Sequence, residues 1–380
     1  MHIIVLLGAV ILISSCHNKE SVALSDNNQA PASGITVPEE EAVVEESGQL
    51  DFDESVDLDS KGCPLNSWWS DTYAYRQPLS IRNVDQLASR DQTIRIELNH
   101  SALVAQNKSR ADGNDMRLIY VEDDCSLSEL NIVKDPESSW NSNDLALWTK
   151  LSKDIDTNAS DSSYYLYYGN PLAQNPRYNP EDIFMVFEDF EQNQLNDANR
   201  FNLNQNGDRL SVEDSALVIS GSTDTDNQFT AFGMGLVRSV PVNTVMNASI
   251  SVVNRGSAGW KAAIGLAGTL FLIDDAKARY YDPTPPANFV DLSNEIFTEQ
   301  TYSNYPVQFK ITPDQIAFTG AGDVLIERSI AVNDFSPYFS FSPDAVVQNF
   351  EYRVHYVYVR PIADTIPDLT IELGEELQRL

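Results

Sequence analysis

The stretch SSYYLYYGNP, residues 162–171, decides the fold class. A run of aromatic and aliphatic side chains closed by glycine, asparagine and proline has the composition of a strand and of the turn that stops it. Working back along the chain, LSIRN at 79–83, TIRIEL at 93–98, MRLIYVE at 116–122 and LALWTKLS at 145–152 share that character. Each carries β-branched or aromatic residues at period two and is bounded by turn formers. Helical spacing is confined to a turn or two at 85–89 and 101–106.

Working forward, FMVFEDFE at 184–191, WKAAIGLAG at 260–268, VQFKITPDQIAFTG at 307–320 and FEYRVHYVYVRPI at 350–362 continue the same punctuation. The expectation is an all-β chain of two consecutive antiparallel β-sandwiches of jelly-roll type. Its segments are a signal peptide at 1–15, a lipidated cysteine with a disordered acidic linker at 16–60, a first β-domain at 61–182 and a second at 183–380.

Four landmarks carry a family resemblance. Tyr75-Arg76-Gln77-Pro78-Leu79-Ser80-Ile81, Gly113-Asn114-Asp115-Met116-Arg117-Leu118, Leu147-Trp148-Thr149-Lys150-Leu151 and Tyr165-Leu166-Tyr167-Tyr168-Gly169-Asn170-Pro171 resemble the domain-of-unknown-function 2341 family in order and spacing. That resemblance implies continuation into a concanavalin-like or laminin-G-like jelly roll. Phe187-Glu188-Asp189-Phe190-Glu191 is similar to its opening strand, and Val357-Tyr358-Val359-Arg360 to its closing one.

The first sixty residues set the address. The apolar run to Ile13 is shorter than the ~20 residues of a membrane-spanning helix and suits the core of an export signal. Ile13-Ser14-Ser15-Cys16 resembles the lipobox of bacterial lipoproteins, which implies acylation of Cys16, and His17, standing where an aspartate would favour inner-membrane retention, makes the outer membrane the expected location by analogy. Residues 17–60 hold twelve acids against Lys19 alone and few large apolar side chains, so they are expected to stay an unfolded tether. They account for −11 of the net charge of −31, and about −20 remains on the folded part. That sign excludes nucleic acid as partner, because a phosphate backbone needs clustered Lys and Arg. With Cys16 lipidated, Cys63 and Cys125 form an even pair in an exported chain and read as a disulfide.

Motifs for chemistry are sparse. The sequence holds no G-x-S-x-G elbow and no phosphate-binding glycine loop, and no strand carries a Glu-x-Asp-x-x-Glu spacing. The chain is therefore expected not to be an enzyme. Glu188, Asp189 and Glu191, between Phe187 and Phe190, read as the polar face of an edge strand. Asp224, Asp226 and Asn227 could form a calcium loop, since hard cations favour clustered oxygens; a solvated turn is the plainer reading, there and at Asp112 and Asp115. Trp260, Tyr280, Tyr281 and Asp282 are candidates for a sugar platform, because ring faces stack on the apolar face of a pyranose and a carboxylate orients its hydroxyls. Core and hairpin packing is the alternative for those aromatics.

The expected task is that of a non-catalytic envelope lipoprotein presenting a lectin-like sandwich to a carbohydrate or protein partner. The alternatives are an assembly subunit beside proton-driven energisers of the ExbB and TolQ kind and, on fold analogy alone, a divergent glycosidase.

Overall fold

In the computed structural model residues 62–379 are described apart from short interior stretches, the longest of them 192–200, 222–231, 293–300, 344–349 and 363–368. Cys16 and the acidic segment lie outside the described residues, and so do Asp224, Asp226 and Asn227.

The first lobe contains β1 (Tyr75–Asn83), β2 (Thr93–Leu98), the short helix α1 (His100–Ala105), β3 (Arg117–Val121), β4 (Leu127–Leu130), β5 (Val133–Lys134), β6 (Leu145–Lys150) and β7 (Ser160–Tyr168). A single turn, α2 (Pro180–Ile183), leads into the second lobe. That lobe holds β8 (Val186–Glu188), β9 (Phe201–Asn204), β10 (Leu210–Glu213), β11 (Ala216–Gly221), β12 (Phe232–Leu236), β13 (Thr244–Asn254), β14 (Trp260–Ala267) and β15 (Phe271–Asp274). It continues with β16 (Lys277–Asp282), β17 (Asn288–Asp291), β18 (Tyr302–Ile311), β19 (Gln315–Gly320), β20 (Asp323–Ser329), β21 (Ser336–Pro343) and β22 (Phe350–Pro361). The chain closes with β23 (Leu369–Leu373) and β24 (Leu377–Gln378).

In the first lobe a sheet of order β23-β1-β7-β3-β4, with β24 also on β1, faces the smaller sheet β2-β6-β5. The aromatic run at 164–168 lies on its central strand, β7. Alternation sends Tyr164, Leu166 and Tyr168 into the core with Leu79, Ile81, Ile94, Ile96 and Leu147. Tyr165 and Tyr167 go to the other face, where Cys63, Tyr73, Trp68 and Trp69 cover them. A strand covered on both faces reads as an unbroken apolar run, the pattern of 164–168. The Cys63–Cys125 disulfide, Cα–Cα 5.4 Å, pins the covering segment to the turn between β3 and β4.

In the second lobe two antiparallel sheets, β10-β11-β22-β13-β18-β19-β20 with β8 also on β22, and β17-β16-β15-β14-β21-β12-β9, enclose one core. Met246, Ala248 and Ile250 of β13, Phe309 of β18, Phe318 of β19 and Phe339 of β21 are buried there. Each of these Met, Ile and Phe side chains contributes roughly 1.5–3 kcal/mol on leaving water. The all-β sandwich architecture expected from sequence is the one found. The opening strand β8 pairs with the closing strand β22, Val357 opposite Glu188 and Val359 opposite Val186.

Two features depart from the linear picture. The domain drawn at 183–380 takes in β23 and β24, yet these strands hydrogen-bond to β1 of the first sheet, Leu373 opposite Leu79 and Gln378 opposite Tyr75. Glu376 fastens this return, accepting from Tyr168 Oη at 2.6 Å and pairing with Lys108 Nζ at 2.5 Å. The lobes also pack on each other: Trp148 and Val133 of the small sheet meet Ile183, Phe184, Phe187, Tyr356 and Tyr358 in one buried cluster. Among the described residues no helix is long and apolar enough to cross a membrane.

Candidate functional site

Two depressions lie on either side of the segment Lys134-Asp135-Pro136-Glu137, which follows from β5. Alternation sends Lys134 and Pro136 into one and Asp135 and Glu137 into the other.

The first is a groove of about 280 Å³. Trp140 and Tyr178 supply its aromatic rings and Pro136 and Pro176 its apolar walls, while Asp189, Glu191, Lys134 and two asparagines supply hydrogen-bonding groups. The segment from Asn170 to Asn179 carries no strand, and it is tied down through its carbonyls. Arg110 Nη1 donates to Pro171 O at 2.9 Å and to Ala173 O at 3.2 Å, and Arg117 Nη2 donates to Gln174 O at 2.6 Å. Arg117 is itself nearly buried and ion-paired with Glu129 at 3.1 Å. Tyr178, at the end of this fixed segment, is 52% exposed, and its hydroxyl lies 3.5 Å from Asp189 Oδ2. An exposed tyrosine on an immobilised backbone presents a ring face to solvent without further ordering cost. Lys134 Nζ donates to Ser138 O at 3.1 Å and lies 3.9 Å from Glu191 Oε1.

The acids around Phe190 are thus not the polar face of an edge strand. β8 ends at Glu188, which is fully buried and accepts from Phe190 N at 3.1 Å. Phe190 takes a φ of 56° and enters the core, and that turn carries Asp189 and Glu191 out to the groove.

The second depression is a cleft of about 430 Å³ between the small sheet of the first lobe and the outer face of the β22-β13-β18-β19 region. Asp135 is 2% exposed and saturated: Arg95 Nε donates to it at 2.8 Å, Trp148 Nε1 at 3.0 Å and the Glu137 amide at 2.9 Å. Burial would lower the Arg95 guanidinium, but the hydrogen bond and charge of Asp135 carry it above its ordinary value. The Tyr356 hydroxyl donates to the Glu137 carboxylate across the lobe boundary. Burial, then that carboxylate, push Tyr356 well above the ordinary phenol value, so it stays a donor. Opposite, Gln308 Nε2 donates to Asn247 Oδ1 at 2.8 Å. Arg360 stands with its guanidinium carbon 5.3 Å from the Trp148 ring centre, and burial holds it below the ordinary arginine value.

Further along that outer face β22 bulges at His355, between the pairs Tyr356–Ser249 and Val354–Ile250. His355 Nε2 shares a 2.7 Å hydrogen bond with Ser251 Oγ, which also accepts from the Asn304 amide at 2.9 Å. Burial, and then Arg353, lower the imidazole below its usual value.

The sugar-platform candidates are not brought together. Trp260 opens β14 opposite Pro343, whereas strand register sets Tyr280 level with Leu266 through Phe271. Six strand positions along β14, about 20 Å, separate those levels. Tyr280 follows Ala278 on the core side and is half-buried, as is Asp282; Tyr281 lies opposite Phe289. Asp112 is spent on Arg110, at 2.6 Å, and Asp115 accepts from Ser109 Oγ and from the Arg110 and Gly169 amides. Among the described residues no cluster of three or more metal-ligating side chains is present. Tyr178 and Trp140 escaped the sequence reading. The available signal was an aromatic inside the Pro- and Asn-rich segment PLAQNPRYNP, where no strand alternation calls for one.

Residues 112–203 match the model of a domain of unknown function, DUF2341, which takes in three of the four landmarks above and runs on across β8 into β9. No curated protein matches the chain. Solved structures similar to it include a protein from a study of endo-acting O-glycanases of the human gut microbiota, at 12% identity and TM-score 0.40 over 47% of this chain and 100% of that one. A β-1,3-glucanase from Mycobacterium marinum is similar at 8% identity and TM-score 0.37 over 46% of this chain and 98% of that one. The laminarinase catalytic domain from Thermotoga maritima is similar at 10% identity and TM-score 0.37 over 48% and 98%. At these values the likenesses add nothing to the architecture read from strand pairing. The expectation that the chain is not an enzyme does not stand. That expectation rested on a missing linear spacing, and carboxylates gathered by a turn, as Asp189 and Glu191 are, leave none.

Proposed function

We propose that this chain is an exported, lipid-anchored β-sandwich protein that binds carbohydrate, and that the groove between Tyr178 and Trp140 receives a sugar. The observation supporting this reading is the exposed ring of Tyr178 on a backbone fixed by Arg110 and Arg117. Carboxylate, amide and ammonium groups at the same groove are the partners that sugar hydroxyls require. Glycan-array binding of the purified protein, with calcium and with chelator, tests it. Tyr178→Ala is expected to weaken binding about tenfold or more. Unchanged binding in that variant, or a silent array with a co-purifying envelope protein, overturns the reading.

Anchoring through Cys16 is tested by metabolic labelling with palmitate, which is expected to mark the wild type and spare Cys16→Ala. An unmarked wild type in the cytosolic fraction overturns it. The pair Asp189 and Glu191 favours a second reading, glycosidic-bond cleavage, in which one carboxyl serves as acid and the other as base or nucleophile. Release of reducing sugar from polysaccharides, lost in Asp189→Asn and Glu191→Gln, supports cleavage. Binding without release leaves recognition alone.

A further inference from the structure

Arg360 is the unusual group of the interlobe cleft. It lies on the outer face of β22 and stacks on Trp148, and its Nε is buried without a hydrogen-bond partner. Among the described residues no carboxylate lies within ion-pair distance of it, in a chain with 56 acids against 25 bases. The acids of the cleft do not fill that role. Asp135 faces Arg360, but its oxygens are occupied by Arg95, Trp148 and the Glu137 amide. Glu137 accepts from Tyr356. A guanidinium partly withdrawn from water and left without a carboxylate is costly, and the cost is recovered when an anion fills the space before it. The facing wall is suited to hydroxyls. The Gln308–Asn247 bond uses one donor and one acceptor, leaving the Gln308 carbonyl and the Asn247 amide hydrogens to other partners, with Thr319 beside them.

We infer that the interlobe cleft binds an acidic saccharide unit, its carboxylate paired with the Arg360 guanidinium and its ring hydroxyls held by Gln308, Asn247 and Thr319. The inference rests on the carbohydrate reading above for the class of ligand, but names a different site and adds a charge. A cleft built from both lobes also ties occupancy to their packing, since Trp148 belongs to one and Arg360 to the other.

The test is calorimetric titration of the full chain with tri-galacturonate and with its methyl ester, which has the same rings without the charge. The acid is expected to bind about tenfold to a hundredfold more tightly than the ester. Arg360→Gln is expected to bring the acid down to the level of the ester, and Tyr178→Ala to leave acid binding unchanged. Because Arg360 packs against Trp148, Gln308→Glu provides a second variant on the opposite wall. It sets a like charge against the ligand and is expected to weaken the acid about tenfold while sparing the ester. Equal affinity for acid and ester, wild-type affinity in Arg360→Gln or in Gln308→Glu, or loss of acid binding in Tyr178→Ala each overturns the inference and leaves carbohydrate binding standing. Silence toward acid, ester and glycan array together overturns both.

Discussion

Gly113→Ala examines the packing that shapes the groove. Gly113 has a φ of 68°, and a β-carbon built on it comes within 2.2–2.4 Å of three atoms of the Trp140 ring. On one side His100 packs edge-on against the ring at 5.5 Å between centroids. Two costs should add. An alanine held in the left-handed region loses roughly 1–2 kcal/mol, and overpacking against a confined ring loses roughly 1–3 kcal/mol. The variant is expected to lose about 2–5 kcal/mol in urea unfolding. In a Trp140→Ala background the clash is gone and only the backbone cost remains, about 1–2 kcal/mol. The coupling between the two substitutions is then about 1–3 kcal/mol. A double-mutant cycle measures it, with glycan affinity read on the same four proteins, since Trp140 lines the groove. A coupling below about 0.5 kcal/mol, the scale of additivity for independent sites, would show that Trp140 does not confine this glycine.

Other expectations can be checked on the same protein. Reduction, or Cys63→Ser with Cys125→Ser, opens a loop with a sequence separation of 62; it is expected to cost up to about 4 kcal/mol in the chain-entropy model, and an unchanged thermal midpoint would contradict that. Arg117→Met removes the buried partner of Glu129 and the donor to Gln174 O, so about 3–5 kcal/mol should be lost together with glycan affinity; retained affinity would mean that the Tyr178 segment is held without it. His100 is lowered from 6.5 by burial and accepts from the Asn141 amide through Nδ1. With the folded pKa below the unfolded one, the unfolded chain binds the extra proton, so stability is complete above the ordinary imidazole value and falls as pH drops through 6.5 toward the folded pKa. Chemical unfolding at successive pH values, with NMR titration of the imidazole, measures this; a His100 midpoint at or above the ordinary value would refute it.

Much of the architecture was legible because its cause is local. Period-two alternation and turn residues at 79–83, 93–98 and 145–152 fix extended backbone whatever the strands later pair with, so strand after strand appears where the pattern sets it. The run at 164–168 could be read as a strand from its β-forming aromatics, and the Cys63–Cys125 bridge followed from setting Cys16 aside as an expected lipid anchor, which leaves one pair. The candidate sites were not legible, because each is made by partners far apart in sequence. Trp260 and Tyr280 lie two strands apart in one meander, but strand register sets them about 20 Å apart. Tyr178 and Trp140 come to one groove because Arg110 and Arg117 hold the segment that leads to Tyr178.

The sequence alone determined that this chain is built of strands, strongly acidic, and bounded by turns at predictable places, since those properties depend on each residue and its near neighbours. Only the tertiary structure decided that β23 and β24 return to the first sheet, that Phe190 turns inward and puts Asp189 and Glu191 at a groove, and that Arg360 meets Trp148 across the lobes. Pairing between distant strands is set by which registers bury the most apolar surface with every backbone group bonded, and that choice depends on the whole chain at once.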